Sequence, residues 1–153
     1  MAPLKQLRVF GELVEILVSS EQTGNTFCVV TQTCGPGGGP PPHIHEYEDE
    51  VFTVLQGEFE VLTDDTWKTL SQGETTYSMR GTLHTFRNCG SGMGKIQGVA
   101  FTSMKFDEYL EEIAALQMPQ DLDRLAEISA KHGIRFVTPE QPVAGREQAL
   151  QYR

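Results

Sequence analysis

Short runs of alternating apolar and polar residues fill the first two thirds of the chain, each closed by turn residues. Glu12–Ser20 (ELVEILVSS) alternates with a period of two, and Asn25–Thr33 (NTFCVVTQT) is rich in β-branched and aromatic residues. The runs EVFTVLQ and EFEVLTD flank Gly57 and read as a hairpin. TWKTL, TTYSMR, HTFRN and KIQGVAF continue the series, with turn residues at Asp64-Asp65, Gly73, Gly81, Gly90 and Gly92. This pattern predicts about eight to ten strands before residue 103 and a closed β architecture.

The period then changes. In KFDEYLEEIAAL, the residues Phe106, Tyr109, Leu110, Ile113 and Leu116 recur at helical spacing, with Ser103 as a candidate cap. DLDRLAEISAKHG predicts a second helix, with Asp121 at its N-cap and Gly133 just past its end. Pro119 separates the two, and IRFV reads as a short last strand. The organisation expected is a barrel over residues 1–102, a helical extension of the same domain over 103–138, and a polar, mobile tail over 139–153.

Composition narrows the function classes. The 153 residues suit one domain, and 39% hydrophobic with 22% charged residues is ordinary for a soluble globular protein. A net charge of −9 with no basic patch argues against nucleic acid or an anionic membrane as partner. No stretch approaches the ~18 apolar residues of a spanning helix. The N-terminus lacks the apolar core of a signal peptide. Cys28, Cys34 and Cys89 are an odd set, which suggests free thiols and a cytoplasmic location. Cys34 would be redox-sensitive only if exposed.

The candidate chemistry sits in GPGGGPPPHIHEYEDE, Gly35–Glu50. On a strand, His43 and His45 point to one face and can converge on one ion. Three prolines before them preset the backbone direction, and glycines farther back allow a close approach to the barrel. Glu50 opens the next strand and shares its inward face with Phe52 and Val54. His84 is the remaining histidine in a strand context. Glu46, Glu48 and Asp49 read as solvent-facing loop acids. His132, at a helix end, reads as a surface residue complementing the helix dipole. Taken alone, each of these features is common; their combination in a β-barrel pattern points to a metal.

Two spacings carry a resemblance. Gly37, five residues, His43, one residue, His45, four residues, Glu50, six residues and Gly57 is similar to the first motif of the cupin superfamily. Gly73, then Gly81, two residues, His84, three residues and Asn88 is similar to the second, except that Met79 stands where the family usually has proline. The 15 residues between Gly57 and Gly73 match compact, mostly bacterial cupins. The segment FDEYLEEIAALQMPQDLDRLAEISAKHGIRFV resembles the C-terminal extension of single-domain, quercetin-dioxygenase-like cupins. The resemblance implies an all-β jelly-roll barrel with two C-terminal helices packed outside, frequently a homodimer. It also implies a divalent transition metal (Fe, Mn, Ni, Cu, Co or Zn) held by His43, His45, Glu50 and His84.

Two functions follow from it as expectations. The first is a metal-dependent dioxygenase acting on a small enolic or aromatic molecule, with Glu50 as ligand and general base. Phe52, Tyr77, Met79, Phe86 and Phe101 would be pocket walls. A non-redox isomerase, cyclase or hydrolase would use the same ligands. The second is a non-catalytic small-molecule-binding barrel.

Overall fold

The computed structural model describes residues 2–101 and 105–137. The strands are β1 (Lys5–Val9), β2 (Glu12–Val18), β3 (Phe27–Cys34), β4 (His43–His45), β5 (Asp49–Gln56), β6 (Glu58–Thr63), β7 (Thr66–Ser71), β8 (Thr75–Ser78), β9 (Leu83–Asn88) and β10 (Gly94–Phe101). Helix α1 (Phe106–Ala114), helix α2 (Leu122–Lys131) and strand β11 (Ile134–Phe136) follow. One antiparallel sheet runs β1-β2-β3-β10-β5-β8 and the other β11-β4-β9-β6-β7, the two layers of a jelly-roll barrel.

Alternation sorts each strand's residues between barrel interior and exterior. On β5, Glu50, Phe52 and Val54 are buried while Val51, Thr53 and Leu55 are not. Phe52 and Val54 meet Phe59, Val61, Phe86, Ile96 and Cys34 in one cluster between the sheets. Each such fully buried side chain contributes about 1.5–3 kcal/mol of transfer free energy. Cys34 has no exposed surface, and burial, with Glu12 nearby, pushes its thiol up to about 12. It is therefore an inert core residue. All three cysteines are free.

The hairpin expected about Gly57 does not form. β5 pairs with β10 and β8, whereas β6 pairs with β7 and β9. A single residue is too short to close an antiparallel ladder, where two-residue loops are the tightest in common use. Gly57, at φ +81°, instead carries the chain from one sheet to the other, close against Gly94. A true two-residue hairpin lies at Asp64-Asp65, where Thr63 and Thr66 pair.

Helix α1 packs on β1 and β3 from outside the barrel. Its Tyr109, Leu110 and Ile113 join Val9, Val14, Leu125 and Ile134 in a second cluster. The expected cap Ser103 lies outside the described residues, as does the expected tail 139–153. Lys105 occupies the N-cap, at φ 61° and without a side-chain capping bond. Asp107, in the first turn, is buried and accepts hydrogen bonds from the backbone N–H and hydroxyl of Ser20, which ties α1 to the β2–β3 connection. Asp121 is the N-cap residue of α2, but its carboxylate accepts from the Gln117 N–H rather than capping the helix. Gly133, at φ +68°, ends α2 as expected.

His132 corrects the surface assignment. It is buried, its ring rests 5.4 Å from that of Tyr109, and its Nε2 is 2.9 Å from Glu112 Oε1. The chain turns back at Gly133 to enter β11, and that turn folds His132 inward. No helix is long and apolar enough to cross a membrane among the described residues.

Candidate metal centre

The Gly/Pro loop is bound to the barrel by its backbone. Gly37 N–H donates to Asn88 O at 2.8 Å, and Asn88 N–H donates to Gly38 O at 2.9 Å. The Thr85 hydroxyl donates to Pro40 O at 2.7 Å. A Cβ on Gly39 would lie 1.9 Å from Phe86 O, so only glycine lets the loop lie this close to β9. The prolines lead directly into β4, where His43 pairs in register with His84 on β9. His45 follows two residues on, and Glu50 faces them from β5 in the other sheet.

The structure brings His43, His45, Glu50 and His84 together: one donor atom from each lies within 4.8 Å of the others. The imidazole centroids of His43 and His84 are 4.4 Å apart, and His45 lies 5.0 Å from His43 and 5.1 Å from His84. All four side chains are buried. Phe106 lies edge-on to His45 at 5.0 Å, and Phe52 and Phe136 flank His84 and His43.

The hydrogen bonds behind the rings orient them. His43 Nδ1 meets Pro41 O at 2.7 Å, and His84 Nδ1 meets Thr82 O at 3.1 Å. A carbonyl oxygen only accepts, so both Nδ1 atoms carry the proton and both Nε2 atoms present lone pairs. His45 Nδ1 meets Glu48 Oε2 at 3.0 Å. On the inner side, His45 Nε2, His84 Nε2 and Glu50 Oε2 are buried without a partner in hydrogen-bonding geometry. Yet Glu50 Oε2 lies 2.7 Å from His84 Nε2 and 3.6 Å from His45 Nε2. Buried acceptors facing one another at this range repel unless a cation stands among them. Three imidazoles and a carboxylate suit a divalent first-row ion and leave coordination positions open. The residues therefore fit a metal.

Burial and neighbouring charge act differently on each group. Burial, reinforced by His84 and His45, holds His43 well below its ordinary value, so it is a neutral ligand. For Glu50, burial favours the neutral acid, but positive charge at the surrounding rings outweighs it and brings the carboxyl to about 2, the direction in which a cation among them would also act. Burial likewise opposes charge on His45, and Glu50 and Glu48 together reverse it and raise that ring.

A cavity of about 70 Å³ adjoins the cluster. His43, His45 and Glu50 lie in its wall, with Phe52 and Phe86 among many apolar residues and Gln32 as an uncharged polar one. Tyr77, Met79 and Phe101, expected as pocket walls, are not among the residues lining it. They are 54%, 56% and 39% exposed. Tyr77 and Phe101 occupy the outward phase of β8 and β10, opposite to the buried Ser78 and Ala100, and Met79 lies in the turn beyond β8.

Sequence reading missed two contributions. Glu48 is 1% exposed rather than solvent-facing. Its signal was strand period, since counting back two from Glu50 places it on the same face. Glu46 and Asp49, by contrast, do reach surface partners, Arg135 and Arg80. Phe106, Tyr109, Leu110 and Ile113 of α1 also line the cavity. Helical spacing showed their apolar face but not what it would cover.

Comparisons with known proteins agree with this geometry. Residues 30–97 match the family model described as the cupin domain. A predicted oxalate decarboxylase from Thermotoga maritima superposes with a TM-score of 0.57 at 22% identity, over 66% of this chain and 92% of that one. An RmlC-like cupin from Shewanella frigidimarina gives 0.57 at 17% identity, over 67% and 87%. A cupin-superfamily sugar phosphate isomerase from Silicibacter pomeroyi gives 0.50 at 21%, over 57% and 59%. No curated protein sequence matches the chain. At these identities the superpositions speak for the fold alone, and together with the matched segment they identify residues 30–97 as a cupin domain, set in a cupin-type jelly-roll barrel and able to hold a metal ion.

Proposed function

We propose that the protein is a metal-dependent dioxygenase, quercetinase-like in type, acting on a small, uncharged enolic or aromatic molecule. The supporting observation is the pairing of a three-histidine, one-carboxylate cluster with an apolar cavity. Among the described residues lining that cavity there is no lysine or arginine. A sugar phosphate or a dicarboxylate buried there would find no cationic side chain in the wall and would have the ion alone to offset its charge. A neutral ring or enol is matched by Phe52, Phe86, Phe106 and the aliphatic wall.

When bound, a divalent first-row ion supplies a Lewis acid and, if redox-active, one-electron chemistry with dioxygen. The chain's own residues supply the rest. His43, His45 and His84 would hold the ion through Nε2. Glu50 would be the fourth ligand, and its carboxylate, once moved off the ion, could take the proton of a substrate hydroxyl and become the neutral acid. The α1 side chains and the barrel phenylalanines exclude water and fix the substrate's plane. The homodimer and the cytoplasmic location belong to the same proposal; light scattering tests the first, and cell fractionation the second.

Elemental analysis of protein purified without added metal, followed by oxygen uptake with flavonol, enolic and catecholic compounds, tests the reading. Redox-active metal with uptake is the expected result. Zinc without uptake moves the assignment to a Lewis-acid isomerase, cyclase or hydrolase. Protein without any metal leaves a non-catalytic binding barrel.

A further inference from the structure

The three histidines are not held alike. His43 and His84 each rest on a backbone carbonyl two residues before them, Pro41 O and Thr82 O. His45 rests on a side chain, Glu48 Oε2, at 3.0 Å, with both side chains 1% exposed. We propose that Glu48 is a positioning residue that fixes the ring plane and tautomer of His45 and makes its Nε2 the strongest of the three imidazole donors. The inference rests on the metal-centre reading of the site.

A carboxylate acceptor makes a stronger bond to an imidazole N–H than a neutral carbonyl does, and strengthens more as the bond is buried. It pulls the Nδ1 proton and leaves more electron density on Nε2. The backbone explains why Glu48 is available. Glu48 is the residue just before β5 and Glu50 lies two residues on, and both are buried, so one chain segment delivers both a direct ligand and the support behind another. Carbonyl support comes with the backbone path at any residue, whereas this support depends on one side chain.

Zinc, which is diamagnetic, is the probe. Wild type, Glu48→Gln and Glu48→Leu are stripped of metal and titrated with zinc against a chromophoric chelator, and the zinc-loaded forms are examined by 15N NMR of the imidazoles. Gln keeps an acceptor oxygen in place and Leu removes it. The expected result is an affinity lower by roughly 10–100-fold in Glu48→Leu, with Glu48→Gln in between. A slowly exchanging His45 Nδ1–H signal is expected in wild type and Glu48→Gln. If Glu48→Leu does not fold, the Glu48→Gln affinity and the wild-type signal carry the test. Equal zinc affinity in all folded forms overturns the role of Glu48. A wild type that binds no zinc overturns the metal centre itself, and the proposal with it.

Discussion

His84 Nε2 and Glu50 Oε2 stand 2.7 Å apart although β9 and β5 belong to different sheets. Their approach is made by closure of the barrel, and it joins an acceptor lone pair to a carboxylate with no proton aligned between them. Replacing Glu50 with glutamine removes the negative charge from this meeting point and keeps its shape. Glu50→Gln is expected to lower metal affinity by more than the ~10–100-fold typical of losing an outer partner, with an unchanged far-ultraviolet circular dichroism spectrum. Metal content per chain, measured after dialysis, checks it; full retention of metal removes Glu50 from the site.

Gly39→Ala tests the loop. The added methyl would sit 1.9 Å from a backbone oxygen, and neither partner is the end of a flexible side chain. The loop must lift from β9, which strains the Thr85–Pro40 bond and the path into His43. A loss of about 2 kcal/mol in denaturant unfolding is expected, in the range of overpacking substitutions. Metal content should fall with it. A variant as stable and as metal-rich as wild type would show that the loop does not aim the histidines.

The relocated pocket residues predict a contrast. Tyr77→Ala and Met79→Ala, at exposed sites, should change stability by no more than about 0.5 kcal/mol and leave metal content unchanged. Phe52→Ala empties a core position beside the cluster and should cost about 3–5 kcal/mol. Leu110→Ala, on α1, should cost about 2–5 kcal/mol and admit bulkier ligands to the cavity. Thermal melts with ligand-binding titrations of the four variants would decide the matter.

Acid sensitivity should arise partly at Glu15, away from the site. The Lys95 ammonium, 2.6 Å away, and the Gln6 amide hold this carboxyl below its ordinary value of 4.5. A lowered folded-state value means that the stabilisation is present above pH 4.5 and is lost as pH falls below it through the folded-state value. Unfolding free energy of the metal-free protein should therefore fall on acidification below about pH 5, and Glu15→Gln should flatten part of that slope. Identical slopes in the two proteins would contradict the assignment.

Much of the barrel was legible because strand period and burial are the same fact seen twice: inward Glu50, Phe52 and Val54 alternate with outward Val51, Thr53 and Leu55. The four-residue cluster was legible because its spacings are long and fixed. Gly57 was misread because alternation on both sides of a glycine says nothing about which sheet each run joins. Tyr77 and Phe101 were misread because aromatic residues suit either face of a strand, and the phase of β8 and β10 shows only in their neighbours. Glu48 and His132 were misread because a charged or titratable side chain beside a turn is usually solvated, and only tertiary packing supplies the buried partners found here.

The sheet change between β4 and β5, over residues 46–48, has a mechanical consequence. It places Glu50 in one layer while the histidines stay in the other, so an ion held by all four is a cross-brace between layers that otherwise adhere through side-chain packing. Loading the brace adds about 1.4 kcal/mol for every tenfold excess of free ion over its dissociation constant. Chelation then loosens the barrel as a whole, and the melting temperature becomes a gauge of how full the centre is.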